Sequence, residues 1–136
     1  MGIKSLFAKG MLKPWADVLD PSQDGKSAPS LWEVVSGQAT EIYKDPEEFF
    51  KRTYFTSSLR NVVEGVANRM RGKPERGKEA ALFALPNVIM LASRFGGGKT
   101  HTLITLYHAF SQAESLRHLD LTLATIIAGV KDIQVV

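Results

Sequence analysis

A glycine-rich stretch followed by lysine and threonine is the part of the sequence best suited to chemistry. Residues 93–100 read SRFGGGKT and match the phosphate-binding pattern G-x-x-x-x-G-K-[ST], except that Ser93 stands where the pattern has its first glycine. Consecutive glycines allow backbone N–H groups to approach phosphate oxygens closely, and the N-terminus of a following helix adds positive potential. The stretch therefore predicts a nucleotide phosphate site that includes Gly96, Gly97 and Gly98.

The three residues after the glycines have side chains that suit the same site. We expect the Lys99 ammonium to reach the β- and γ-phosphates and the Thr100 hydroxyl to enter the coordination shell of Mg²⁺. His101 is also assigned to the cofactor-binding residues, although a histidine in solvent or behind the ligand-contacting residues is the favoured alternative. The predicted cofactors are ATP and Mg²⁺, against the simpler alternative of a flexible glycine turn before a helix that happens to begin with Lys-Thr.

A phosphate-binding loop of this kind lies between a strand and a helix, and the sequence offers both. The run 87–92 is short, apolar and rich in residues that favour strands, which predicts a buried strand. From Lys99 onward the pattern is helical. The apolar residues at helical spacing are Leu103, Leu106, Tyr107 and Phe110. We therefore predict an α/β fold, in which an incomplete P-loop NTPase core with one or two core strands follows a mainly helical N-terminal region.

Loops and composition shifts divide the chain into two parts. We assign residues 1–79 to the mainly helical region, with a loop at 21–30 that is rich in Pro, Ser, Gly and Asp. Residues 80–136 are assigned to the start of a truncated P-loop ATPase core. Within these parts, residues 31–36 predict one or two helical turns, and residues 120–136 could form either a helix or a strand.

Two helices in the first part have clear local signals. Asp45 suits an N-cap, with Pro46 at the first helical position and Glu48 placed to complete a capping box. A further helix starts at Thr56 or Ser57 and carries an apolar stripe. The side chains expected in the core from these two helices are Phe49, Phe50, Leu59, Val62, Val63, Val66 and Met70.

The composition excludes several classes of function. The 136-residue chain has a formal net charge of +3 and no cysteine, which excludes a disulfide framework, a thiolate zinc site and a cysteine nucleophile. With 44% hydrophobic and 23% charged residues, it is typical of one soluble globular domain. No apolar run reaches the roughly 20 residues of a membrane span, and no signal peptide is recognisable. We therefore expect a cytoplasmic location and no membrane partner.

Two further charge patterns could serve a nucleotide or a nucleic acid. Between Lys51 and Lys78 there are eight basic residues and two acidic ones, so this is where DNA would bind. The favoured alternative is a solvated helix face and loop, because no aromatic residues interleave the cluster at 69–78. Arg52 could instead approach the nucleotide. Asp132 is a candidate for the acidic residue that holds Mg²⁺ through water. The favoured alternative is that its segment is a buried strand or helix that ends at the surface.

Several separated segments together resemble one prokaryotic ATPase family. They are 12–15 (LKPW), 43–54 (YKDPEEFFKRTY), 95–102 (FGGGKTHT) and 106–108 (LYH). In this combination they are similar to the N-terminal part of the family catalogued as domain of unknown function four-nine-nine, which itself resembles the AAA+ group of P-loop ATPases. The resemblance implies that Gly96, Gly97, Gly98, Lys99 and Thr100 bind ATP and magnesium.

The same resemblance implies a biological setting. Members of the family are far longer than this chain and are encoded beside DNA methylases and helicases in phage-defence neighbourhoods, which implies DNA or DNA-modification proteins as partners and a homo-oligomer in the full-length context. We therefore expect the N-terminal fragment of an AAA+-like ATPase, inactive in hydrolysis alone. The alternatives are a non-catalytic nucleic-acid or protein interaction module with a vestigial glycine loop, and a small-molecule kinase that has lost its lid.

Overall fold

The structure is a computed structural model that describes residues 2–22, 28–71, 91–92, 98–117 and 120–130. The regular elements in these ranges are helical. The α-helices are α1 (Ile3–Ala8), α2 (Leu31–Val35), α3 (Glu41–Lys44), α4 (Pro46–Lys51), α5 (Ser57–Arg71), α6 (Lys99–Ser111) and α7 (Leu121–Ala128). Short 3₁₀ helices lie at Ala16–Leu19 and Ala113–Leu116. None of the helices in the described ranges combines the length and apolar character needed to cross a membrane.

The predicted α/β fold is wrong for the part of the chain that the structure describes, because no strand or sheet is found there. Of the predicted strand at 87–92, only Leu91 and Ala92 are described, and neither belongs to a regular element. Within the segment 120–136, where helix and strand were both open, Leu121–Ala128 form α7, and residues 131–136 lie outside the described ranges. The domain boundary predicted at 79/80 and Asp132 both lie outside the described ranges.

Helix α7 has a local and a tertiary cause. The Asp120 carboxylate accepts a hydrogen bond from the Leu123 N–H at 3.0 Å, which satisfies one of the unpaired donors of the first turn. Leu123, Ala124 and Ile127 are buried at helical spacing. Because these side chains are buried against other helices, the apolar run is covered without a sheet.

Capping residues begin the short helices α2 and α4. At α2, Ser30 and Glu33 form a reciprocal capping box, and the hydrogen bonds from Ser30 hold the pKa of Glu33 below its usual range. The helix predicted at 31–36 is thus confirmed. At α4, Asp45 accepts from two backbone N–H groups, so the predicted N-cap is also confirmed. The reciprocal bond from Glu48 is not formed, because Glu48 instead pairs with Lys51 at 2.8 Å.

The core is built mainly from α4, α5, α6 and α7. Phe49 and Phe50 of α4 are buried as predicted. On α5 the predicted stripe is confirmed in its first part, where Leu59 and Val63 are buried, whereas Met70 is 47% exposed near the C-terminal end. The completely or almost completely buried side chains of the other two helices are Ile104, Thr105, His108, Ala109, Leu123, Ala124 and Ile127.

The helix predicted from Lys99 is confirmed as α6, but its most buried residues are not those of the predicted apolar spacing. The sequence pattern points to Leu103 as a core residue, yet this side chain is 40% exposed, while its neighbour Ile104 is 1% exposed. The buried face also includes the polar side chains of Thr105 and His108. Both find hydrogen-bond partners, which removes most of the cost of burying them. Leu106, Tyr107 and Phe110, the other residues at helical spacing, are partly buried against the core, so the spacing identified the helix and most of the side that packs.

Candidate functional site

The start of α6 presents the described part of the glycine-lysine-threonine motif. Gly98 precedes the helix with φ +75° and ψ +15°, the left-handed region that favours glycine. Lys99 and Thr100 follow in the first turn, and both are exposed. Gly96 and Gly97, together with residues 93–95, lie outside the described residues. The described portion therefore combines a glycine-specific turn, a helix N-terminus, a cation and a hydroxyl at the surface.

His101 anchors this turn to α4. Its Nε2 lies 3.3 Å from the Thr53 hydroxyl, and its ring packs on Phe49 with centroids 4.8 Å apart. The single Thr53 hydroxyl hydrogen is donated to the Phe49 carbonyl at 2.8 Å, so the Thr53 oxygen accepts and His101 Nε2 donates. Burial lowers the pKa of His101, which favours a neutral ring with Nδ1 as an acceptor at neutral pH.

This contact joins two motifs that the sequence presents separately. Thr53 belongs to the segment 43–54, and His101 follows the glycine-lysine-threonine run 48 residues later. From the sequence, His101 is open either as a nucleotide contact or as a histidine behind such contacts. The sequence gives no signal for Thr53 as its partner, because spacing along the chain does not indicate a contact over that separation. The structure therefore adds Thr53 and Phe49 as residues that position the start of α6.

A cavity of about 430 Å³ opens beside the same turn. Gly98, His101 and Thr102 line it from the α6 side, and Thr56 and Ser58 line it from the start of α5. The Thr102 hydroxyl donates to the Gly98 carbonyl at 2.9 Å, which leaves its oxygen as an acceptor toward the cavity. The volume lies within the range of about 300–1,000 Å³ that is usual for small-molecule sites.

Comparison with known proteins gives one match. The family model described as the DUF499 N-terminal domain matches residues 1–135, which is nearly the whole chain. The chain belongs to the DUF499 family. No curated protein and no solved structure matches it. The motif segments that resemble this family thus lie in a DUF499 N-terminal domain, and the geometry above is the arrangement of their described residues.

The second histidine of the DUF499 domain has a structural role. His108 is 1% exposed, and its Nε2 donates to the Tyr43 carbonyl at 2.7 Å. Burial lowers the pKa of His108, although the Tyr43 hydrogen bond and the Asp45 carboxylate act in the opposite direction. No group of three or more metal-ligating side chains that could hold a metal ion occurs among the described residues. His108 therefore fixes α6 against α3 and α4.

Several basic residues of the 51–78 run already have partners within the DUF499 domain. Lys51 pairs with Glu48, and Arg60 pairs with both Glu64 and Asp120. The Arg52 guanidinium lies 4.5 Å above the Trp15 ring, in cation–π geometry. The further cations Lys73, Arg76 and Lys78 lie outside the described ranges. Among the cations named here, Arg60 links α5 to the start of α7, Lys51 pairs within α4, and Arg52 contacts Trp15.

Proposed function

We propose that this DUF499 N-terminal domain binds ATP with Mg²⁺ through residues 96–100, at the N-terminus of α6. The observation that carries the proposal is the left-handed Gly98 directly before a 13-residue helix whose first two side chains, Lys99 and Thr100, are exposed. A helix N-terminus presents backbone N–H groups and positive potential to an anion. Gly98 has no side chain that could block an anion from the helix N-terminus. Phosphate binding at this end requires no sheet.

Each residue has a defined task in this proposal. The Lys99 ammonium neutralises charge on the outer phosphates, and the Thr100 hydroxyl supplies an oxygen ligand to Mg²⁺. Mg²⁺ held by the Thr100 hydroxyl would supply positive charge beside the phosphates. His101 holds the turn through Thr53 and Phe49, and its neutral ring offers Nδ1 as an acceptor. Gly96 and Gly97 contribute backbone N–H groups, as the sequence pattern predicts.

Calorimetric titration of the full chain with Mg·ATP tests the proposal. Lys99→Ala is expected to weaken ATP binding at least tenfold, because it removes the cation closest to the phosphates. Arg117→Ala is the matched control, since it removes an exposed positive charge beyond the other end of α6. The proposal is wrong if the parent does not bind Mg·ATP, or if the two variants bind it with the same affinity.

The resemblance to AAA+-like ATPases extends the proposal to longer proteins of the family. We propose that in them this domain contributes to ATP hydrolysis by an oligomer that acts on DNA or on DNA-modification proteins in phage defence. The motif segments at 43–54 and 95–102 support this extension. ATPase assays of a full-length family member, with and without duplex DNA, test it. DNA-stimulated hydrolysis that is lost on substitution of the lysine equivalent to Lys99 is the expected result.

A further inference from the structure

The cavity beside the start of α6 has a wall that the phosphate proposal does not use. Leu59, Val62 and Leu91 line this wall, and Tyr54 stands at its edge. Leu59 and Val62 come from α5, whose residues Val63 and Ala67 are completely buried, so the wall is held by a helix that is packed in the core. Tyr54 is 85% exposed, although a tyrosine ring is costly to leave in water. An apolar wall beside an exposed aromatic ring is a surface suited to a flat, unsaturated ligand.

We infer that this cavity receives the base and ribose of the nucleotide whose phosphates bind at the α6 N-terminus. The inference rests on the proposed function, since it assigns the other end of the same ligand. The two sites are continuous, because Gly98, His101 and Thr102 line the cavity and belong to or directly follow the phosphate motif. One molecule can therefore contact both.

The chemistry of the lining matches a nucleoside. A nucleobase has apolar faces and polar edges, so its faces suit the Leu59 and Val62 wall and the Tyr54 ring. Hydroxyl groups on the α5 side can pair with the polar edge of a base or with ribose. The Thr56 hydroxyl oxygen accepts from the Leu59 N–H, which leaves its hydrogen for a ligand, and Ser58 carries an exposed hydroxyl.

The test compares Mg·ATP with Mg·tripolyphosphate, which carries the same chain of phosphates without a nucleoside. Both are titrated into the full chain by calorimetry. The parent is expected to bind ATP more tightly than tripolyphosphate. Tyr54→Ala, which removes the stacking ring, is expected to weaken ATP binding roughly 5- to 100-fold and to leave tripolyphosphate binding within about twofold. Tyr54→Phe keeps the ring and is expected to bind ATP like the parent.

A second variant fills the cavity instead of opening it. Ser58→Trp places a large side chain in the space at an exposed position of α5, and it is expected to weaken ATP binding and leave tripolyphosphate binding unchanged. Asn61→Trp is its control, because Asn61 is exposed on the same helix and is not part of the cavity lining. Thermal melting of each variant should match the parent, since the substituted side chains are exposed.

The outcomes separate this inference from the phosphate proposal. If Lys99→Ala weakens both ligands but Tyr54→Ala and Ser58→Trp leave ATP binding unchanged, the phosphates bind as proposed and the cavity assignment is overturned. Equal binding of ATP and tripolyphosphate by the parent also overturns it. If the parent binds neither ligand, the phosphate proposal fails and the assignment of the nucleoside fails with it.

Discussion

The first turn of α6 and the rest of the helix differ in what they contact. The first turn, with Lys99 and Thr100, is exposed, whereas Ile104, Thr105 and His108 farther along the helix are almost completely buried. His101 stands between them, half-buried against Phe49 and Thr53. Because α6 is a single helix of 13 residues, the packing of its buried residues sets the position of its first turn. The same helix therefore supplies an anchor and an accessible end.

This contrast explains why the exposed end can carry polar groups at little cost to the fold. Most of the stability that α6 contributes comes from the burial of Ile104 and Ala109 and from the packing of His108 on Phe49 of α4. Lys99 and Thr100 bury little, so selection can set their identity by ligand chemistry. Substitutions in the buried part of α6 should therefore change stability more than substitutions in its exposed first turn.

The largest expected effect on the free energy of unfolding is at the buried residues of α6. Ile104→Ala should lower the free energy of unfolding by about 2–5 kcal/mol, because it leaves a cavity at a side chain that is 1% exposed. Leu103→Ala is the matched control on the same helix and should cost about 1 kcal/mol or less, since Leu103 is 40% exposed. Urea unfolding followed by circular dichroism measures both. Equal losses would contradict the burial of Ile104 and the exposure of Leu103 on neighbouring sides of α6.

A smaller effect is expected where α7 joins the same core. Asp120→Ala should cost about 1–2 kcal/mol, because the carboxylate caps α7 and pairs with Arg60 of α5. Asp120→Asn keeps an oxygen for the cap and loses the ion pair, so it should cost less than the alanine variant. Urea unfolding again gives the values. If the asparagine variant is as unstable as the alanine variant, the ion pair and not the cap holds α7.

The two histidines predict how stability depends on pH. Burial lowers the pKa of His101 and of His108, so the folded chain binds these protons less readily than the unfolded chain does. Their contribution is therefore fully present above the ordinary histidine pKa of about 6.5, and it is lost as the pH falls from there through the folded-state values. The melting temperature should therefore fall as the pH is lowered below about 6.5.

Two variants show which histidine causes this pH dependence of the melting temperature. His108→Gln keeps an N–H donor for the Tyr43 carbonyl and removes the titrating group, so its melting temperature should change less with pH than that of the parent. His101→Gln provides the comparison at the half-buried position. A pH profile that neither substitution flattens would place the titrating groups elsewhere in the chain.

The smallest effect on stability is expected at the exposed end. Thr100→Ala and Thr100→Ser should both change the free energy of unfolding by less than about 0.5 kcal/mol, because the side chain is exposed. On the proposed function, only the alanine variant should lose much of the Mg²⁺ dependence of ATP binding, since serine keeps the hydroxyl. Titrations with and without Mg²⁺ measure this. Unchanged Mg²⁺ dependence in Thr100→Ala would remove Thr100 from the metal site.

Local chemistry was enough to predict several helices. The Asp45 cap, the start of α5 near Thr56 and the start of α6 at Lys99 are all found where the sequence places them. In each case the signal lies within a few residues of the feature, because caps and helical spacing act over one or two turns. The same reasoning failed for the fold class. A short apolar run can pack as a strand or as a helix, and the choice depends on partners far along the chain.

The sequence by itself determines the glycine-lysine-threonine motif and the absence of cysteine chemistry. It also determines the helices that begin at their own capping residues. Which face of α6 is buried, the helical state of α7 and the contact of Thr53 with His101 are properties of the packed structure. Spacing is a local quantity, whereas burial and long-range hydrogen bonds depend on where all the helices lie together. Residues 48 positions apart became neighbours because Phe49 and His108 pack in one core.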